Sequence, residues 1–288
     1  MRNDRPSLTA TLVAAARAFY AQMPEPYLVA PDAEARDLLP LPLALPAALL
    51  ERVPRAGPRA HRILGAGLGG VTYHVALRTR AIDDALRDAM HGGARQLVLL
   101  GAGLDNRGRR LPELAGVRVL EVDHPAMQRW RRERLAARGA EPPTSTAVPV
   151  DFERDRLDTA LIAAGLSKEE PSFWIWEGVT VYLTPEAIDE TLATIAALSA
   201  PGSRLAMTYS EPDSLTPPLM QLLQGVANLI GEPVRGAMTR AQAAARLRRV
   251  GLEALSDEAA IDWAGRYWNE SPPGIREWER LVVAERRP

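Results

Sequence analysis

The sequence predicts an α/β protein built on a mostly parallel, Rossmann-like sheet of about seven strands, with helices on both faces. Three observations carry this. Short apolar runs of strand length, at residues 96–100, 117–122, 147–150, 173–176 and 205–209, alternate with spacers of helical length; strands buried on both faces read this way. The first run ends directly in the turn Gly101-Ala102-Gly103, where small residues let the chain bend sharply and approach a ligand. The second ends in Glu121-Val122-Asp123, an acid placed where a parallel sheet can offer it to a ribose.

Before the sheet, Ser7 is a suitable cap for a helix running to about residue 23. The proline-rich stretch 24–58 cannot be one regular element. A helical pattern resumes at Val71, with Ile82, Leu86 and Met90 on one stripe, and Gly92-Gly93 stop it. Thr184 as cap and Pro185 at the first position open the helix before the fifth strand. Residues 211–238 then break the alternation, with Pro212, Pro217, Pro218 and Pro233 around an apolar helix at 219–230, and read as an inserted lid. A helix at 239–250 and two strand candidates, near 252–255 and 281–284, complete the count. The division expected is an N-terminal helical and proline-rich segment, 1–75, followed by a ligand-binding domain, 76–288, that carries the lid.

Composition narrows the function classes. The chain has 288 residues, 47% hydrophobic and 25% charged, ordinary values for a globular protein. A net charge of -1 gives no electrostatic reason to expect nucleic acid or an anionic membrane as partner. The absence of cysteine excludes disulfides, thiolate nucleophiles and Cys-ligated metals. The apolar stretch 8–16 is preceded by Asp4 and followed by Arg17, unlike a signal peptide. The run 38–50 carries three prolines and falls short of the ~20 residues of a membrane span. A soluble, cytoplasmic protein is the expectation.

Two glycine clusters compete as a nucleotide site. Gly65 to Gly70 matches GxGxxG literally, but only Ile63 and Leu64 precede it as strand, and no strand with a terminal acid follows at the expected distance. A connection into the next helix is its more economical role. The second cluster has strand, GxG and acid in register, while Asn106 stands where a dinucleotide site wants its third glycine. A pyrophosphate needs tight access to a helix start and a methionine moiety does not, which favours S-adenosylmethionine over NAD. Asp151-Phe152, after the third strand, suits an adenine amino group and ring face, or equally a helix cap and a core residue.

GAGLDNR (101–107), EVDHP (121–125), DF (151–152) and WEGVTVYL (176–183) fall in the order and spacing of a known family. Together with LTATLVAAARA (8–18) and RTRAIDD (78–84), they resemble the leucine carboxyl methyltransferase family. More narrowly they resemble its bacterial branch of small-molecule and polyketide O-methyltransferases. The resemblance spans about residues 7–209. It implies a class I methyltransferase sheet, S-adenosyl-L-methionine as donor and S-adenosyl-L-homocysteine as product. It implies Arg80 on the donor's carboxylate, Gly101 and Gly103 along its backbone, Asp123 with Glu121 on the ribose, Asp151 and Phe152 on adenine, and Glu177 on the amino group. Tyr182, Arg80 and Asp105 are then the candidates at the acceptor side. The chain departs from the branch pattern GAGLDTRAYRL, reading GAGLDNRGRRL. The added Arg109 suggests a more anionic acceptor.

The chemistry expected is methylation of a carboxylate on a small or carrier-protein-bound substrate. Such a nucleophile, with a pKa near ~4, is ionised at neutral pH and needs no base, only a cation or hydroxyl to place it. A phenol, with a pKa near ~10, would benefit from a base, and His91 or His124 would be the candidates. A third reading keeps the fold and donor site but catalyses a non-methylating step. Structural roles compete at each position. Arg80 lies ~200° around its helix from Ile82, the solvated side. His61 and His74 lack metal-ligand spacing. Trp174 and Trp176 should face one side of their strand. An acid like Glu177, closing a buried strand, is costly unless it binds something. The apolar residues of 219–230 suit a hydrophobic acceptor, a core face or a homodimer contact alike.

Overall fold

A computed structural model describes residues 7–21, 27–50, 70–139, 145–152, 154–212, 235–269 and 279–287. The expected lid helix at 219–230, His61 and most of the Gly65–Gly70 cluster lie outside these. The elements in order are α1 (Leu8–Tyr20), a 3₁₀ helix (Ala33–Leu38), α2 (Leu41–Leu50), α3 (Val71–His91), β1 (Gln96–Leu100), α4 (Arg107–Arg110), β2 (Arg118–Asp123), α5 (Pro125–Ala137) and β3 (Thr146–Pro149). They continue with α6 (Leu157–Ala163), β4 (Ser172–Trp176), a 3₁₀ turn (Thr180–Tyr182), α7 (Pro185–Leu198), β5 (Arg204–Ser210), α8 (Arg240–Arg249), β6 (Leu252–Ala259), α9 (Ala260–Trp268) and β7 (Glu279–Arg286).

The strands form one seven-stranded sheet in the order β3-β2-β1-β4-β5-β7-β6, the first five parallel and β7 antiparallel to both neighbours. β4 shows why the sheet needs two covering layers. Phe173 and Ile175 enter one core with Ile82 and Leu86 of α3, whereas Trp174 and Trp176 enter the other with Leu192 and Ile195 of α7. Alternation along a strand sends successive side chains to opposite faces, and here both faces are apolar. The two tryptophans do share a side, as their spacing predicts.

Local signals set several boundaries. Ser7 caps α1 through its hydroxyl on the Ala10 amide at 3.2 Å. Thr184 caps α7 with Pro185 behind it, and Thr239 makes a reciprocal capping box with Gln242 at the start of α8. Gly70 begins α3 with φ 76°, a left-handed conformation that glycine adopts without strain. α3 then runs unbroken through the domain boundary expected at residue 75. α2 accepts Pro42 at its second position, where the missing N–H has no helical partner to lose.

Two elements depart from the sequence reading. β6 continues to Ala259 rather than ending near 255, because it is an edge strand and its outer residues Ser256, Asp257 and Glu258 carry no apolar signal. α9 was not expected. It buries Trp263 and Trp268 against α3, with Tyr73 packed edge-on to Trp268 at 5.5 Å. The sheet order reverses direction between β1 and β4, and the loops leaving their carboxyl ends diverge there. In open α/β sheets that crevice is where ligands sit.

Candidate functional site

Gly101 and Gly103 turn the chain off β1 with φ of 67° and 52°. Each has a steric reason as well. A methyl group on Gly101 would stand 2.5 Å from Val179 Cγ2, in the loop after β4, and one on Gly103 would meet Ala10 of α1 at 3.4 Å. The turn is therefore squeezed between the β4 loop and the N-terminal helix. Asp123, closing β2, accepts the amide of Gly103 on one oxygen and that of His124 on the other, the latter at 2.6 Å. Burial pushes its carboxyl up in pKa, with the two amides opposing. Asp151 lies 4.0 Å from the His124 ring, so the ends of β2 and β3 bring Asp123 and Asp151 to one edge of the crevice. Phe152 beside it is 48% exposed, an aromatic face open to solvent.

Glu121 does not belong to that edge. It is 1% exposed and held bidentate by Arg131 of α5, whose guanidinium also donates to the Asp105 carbonyl at 2.7 Å. Buried and paired in this way, Glu121 fastens α5 to β2 and the glycine loop.

The centre of the crevice is an ion array around Glu177, the residue after β4. One carboxylate oxygen accepts from Arg17 of α1 at 2.9 Å and from Arg78 of α3 at 2.7 Å; the other accepts from Arg107 at 2.8 Å. Arg107 also binds Asp105 and, at 2.8 Å, Asp83. Arg17 approaches Asp105 at 3.8 Å. Burial alone would raise the pKa of Glu177, but the three guanidiniums outweigh it and hold the carboxyl well below its usual range. Asp105 shows the same balance, with Arg107 and Arg17 prevailing over burial. The cost of an acid at a buried strand end is thus met by cations from three separate elements. Two donors in the array, Arg17 Nε and Arg107 Nη2, are buried and have no hydrogen-bond partner among the described residues.

Arg80 is not part of the array. It bonds Asp84 one turn along the helix at 2.9 Å and the Val29 carbonyl at 3.1 Å, and it lies over the Tyr267 ring. The correction is rotational. Two residues are ~200° apart on a helix, so the arginine that faces Glu177 is Arg78, four residues before Ile82 on the buried stripe. That signal was present in the sequence, as a charge standing on an apolar stripe. Arg109 is likewise committed, to Glu34 at 3.0 Å, and Asn106 donates to Asp32 at 3.2 Å. The departure from the branch motif therefore ties the glycine loop to the N-terminal 3₁₀ helix, which leaves the more anionic acceptor inferred from Arg109 without support.

Tyr182 closes the 3₁₀ turn beyond Glu177. Thr180 and Gly178 fix this turn to Thr208 of β5, at 2.7 and 2.8 Å, and the amides of Arg235 and Gly236 both donate to the Val181 carbonyl, at 2.7 and 2.9 Å. The chain leaving the 211–238 insertion is thereby anchored beside Tyr182. Arg17, Arg78, Asp83, Arg107 and Glu279, which pairs with Arg78 at 2.6 Å, are array members that the sequence reading did not name as site residues. Arg17 and Glu279 are far in sequence from the motifs they meet.

The leucine carboxyl methyltransferase family model matches residues 10–196. This chain belongs to the leucine carboxyl methyltransferase family. A protein of Mycobacterium sp. (strain JLS) named "Putative S-adenosyl-L-methionine-dependent methyltransferase" is 39% identical over 227 residues, covering 76% of this chain and 72% of its own. One of the same name from Mycobacterium marinum is 40% identical over 206 residues, covering 69% and 62%. Among solved structures, a DUF574 family protein from Streptomyces avermitilis aligns with a TM-score of 0.57 at 18% identity, over 80% of this chain and 90% of that one. A chain from Thermobifida fusca described as "a putative methyltransferase" aligns at 0.56 and 16%, over 99% and 96%. At such identities the likeness concerns the fold, the class I methyltransferase sheet. The family match takes in Arg17, Arg78, the glycine loop, Asp123 and Glu177, and it stops before β5 to β7. Among the described residues no helix is long and apolar enough to cross a membrane.

Proposed function

We propose that this family member transfers the methyl group of S-adenosylmethionine to an oxygen, the carboxylate of a small or carrier-held acceptor, leaving S-adenosylhomocysteine. The observation that carries the reading is the Glu177 array. A zwitterionic amino-acid end can enter an array of matched carboxylates and guanidiniums by exchange of partners, with no net charge to bury. Glu177 would take the ammonium group, and Arg78 with Arg17 the carboxylate. The unpartnered Nε of Arg17 fits such a guest. Asp123 would take the ribose hydroxyls, and Asp151 with Phe152 the adenine. Bound there, the donor supplies a methyl group already activated by its sulfonium. What remains for the protein is alignment and exclusion of water; α1, lying over Gly103 and reaching Glu177, provides the cover.

The carboxylate acceptor is favoured over a phenol by where His91 and His124, the two candidate bases, stand. His124 accepts the Ala126 amide through Nδ1 as the cap of α5. His91 ends α3, thirteen residues beyond Arg78 and so ~20 Å along the helix. An acceptor already ionised at neutral pH needs neither. Tyr182, anchored at the insertion's return, is the residue we place at the acceptor.

Calorimetric titration with S-adenosylhomocysteine and NAD tests the donor site. Binding of the first alone, weakened at least about tenfold in Asp123→Ala, is the expected result. A protein that binds no S-adenosylhomocysteine would sink the reading. Transfer of labelled methyl to a panel of carboxylic acids and phenols then separates the acceptors, and methylation of phenols alone would overturn the carboxylate assignment.

A further inference from the structure

Glu279 is the first residue of β7. Because β7 runs antiparallel between β5 and β6, its start pairs with Ser210 at the carboxyl end of β5. That places an acid from the far end of the chain at the same end of the sheet as Glu177. Its Oε2 accepts from Arg78 Nη1 at 2.6 Å and lies 2.7 Å from His74 Nε2. Arg78 is therefore held between two carboxylates, Glu177 on its Nε and Nη2 at 3.0 and 2.7 Å and Glu279 on Nη1. His74, one turn before Arg78 on α3, is 2% exposed and packed against Trp263. It had no role in the sequence reading.

We propose that Glu279, fixed by His74, is a positioning residue that keeps Arg78 in place for the donor's carboxylate. The inference rests on the methyl-donor reading of the same site. Glu177 is shared among three guanidiniums, and in that reading it must also turn toward an ammonium group. An arginine tied only to Glu177 would follow it or be left buried without a counter-ion, which is strongly unfavourable in a buried site. Glu279 supplies a second counter-charge to Arg78 from a separate element, the start of β7. Arg78 then keeps its place while its Glu177-facing edge exchanges partners. The imidazole in turn limits Glu279 to one orientation. Its surroundings keep His74 neutral, since burial lowers its pKa despite Glu279, so its ring N–H donates to the carboxylate. The carboxyl of Glu279 is brought down to about 2, burial being outweighed first by Arg78 and then by His74.

The test compares two ligands that differ only at the amino-acid end. S-adenosylhomocysteine carries the carboxylate; 5′-methylthioadenosine keeps the adenine, ribose and thioether and lacks it. Calorimetry on the full chain should show Glu279→Gln binding S-adenosylhomocysteine at least about tenfold more weakly than wild type, with 5′-methylthioadenosine affinity unchanged within about twofold. Glu279→Asp, which keeps the charge, should recover part of the loss. Equal weakening of both ligands, or of neither, overturns the proposal, the first because it marks a merely structural residue. If Glu279→Gln does not fold, His74→Asn is read the same way, and an equal effect on both ligands again overturns it. A wild-type protein that binds neither compound overturns the donor reading and this inference with it. Wild-type binding with an indifferent variant overturns this inference alone.

Discussion

Gly101 shows how one position can satisfy a ligand-shaped motif and a packing constraint together. Its φ of 67° and the Val179 methyl 2.5 Å from where a Cβ would stand both exclude a side chain. Gly101→Ala is expected to cost about 1–3 kcal/mol, the usual range for such backbone strain. Thermal unfolding should show a drop of several degrees; an unchanged melting temperature would mean that the β4 loop yields freely. The glycine turn was legible because strand, turn and acid lie close together in sequence. Arg78 was less so. The motif RTRAIDD offers two arginines, and only their angle from Ile82 tells them apart, a distinction that helical periodicity does make.

At the scale of elements, the return of the 211–238 insertion is tied to the turn after β4. Arg235 and Gly236 share the Val181 carbonyl, and a methyl group on Gly236 would fall far inside van der Waals contact with the Thr180 carbonyl. No rotamer relieves a clash with backbone. Gly236→Ala should therefore part this segment from the 180–182 turn. The readout is faster amide hydrogen exchange across residues 179–183. Unchanged exchange would show that the anchor does not depend on Gly236. The sequence marked this region as an insertion through its prolines, but not where it re-attaches, since a backbone hydrogen bond to a 3₁₀ turn leaves no trace in residue type.

For the molecule as a whole, the ion array joins α1, α3, the β1 loop, the β4 end and β7, so its protonation bears on global stability. Burial holds the pKa of His74 below the ordinary 6.5, and Arg78 with His74 brings Glu279 down to about 2 from the ordinary 4.5. The directions agree: in both cases the unfolded chain binds the proton first, so stability is full above the unfolded value and declines as pH falls below it. Glu177 and Asp105, also depressed, act in the same sense. Asp123, raised by burial, opposes them but is one group against four. The melting temperature should be level from about pH 6.5 to about 9, slope downward below that range, and fall steeply under about pH 4.5. In His74→Asn the slope between about 6.5 and 4.5 should flatten. A melting temperature that holds or rises on acidification to pH 4 would show that the array does not support the fold.

By itself the sequence determined the sheet, the order of its strand-forming runs, the glycine turn, Asp123, Asp151 and Glu177 at strand ends, and the family. These depend on periodicity and on short, ordered motifs, both of which are local. Only the tertiary structure decided what surrounds Glu177. Arg17 reaches it from 160 residues away, and Glu279 reaches Arg78 from 201 because β7 turns antiparallel beside β5. It also decided that Glu121 is spent on Arg131, Arg80 on Asp84 and Arg109 on Glu34. A charged residue's identity does not announce its partner. Which charges face the crevice and which neutralise one another within the fold is set by packing across elements, and that information exists only once the chain has closed on itself.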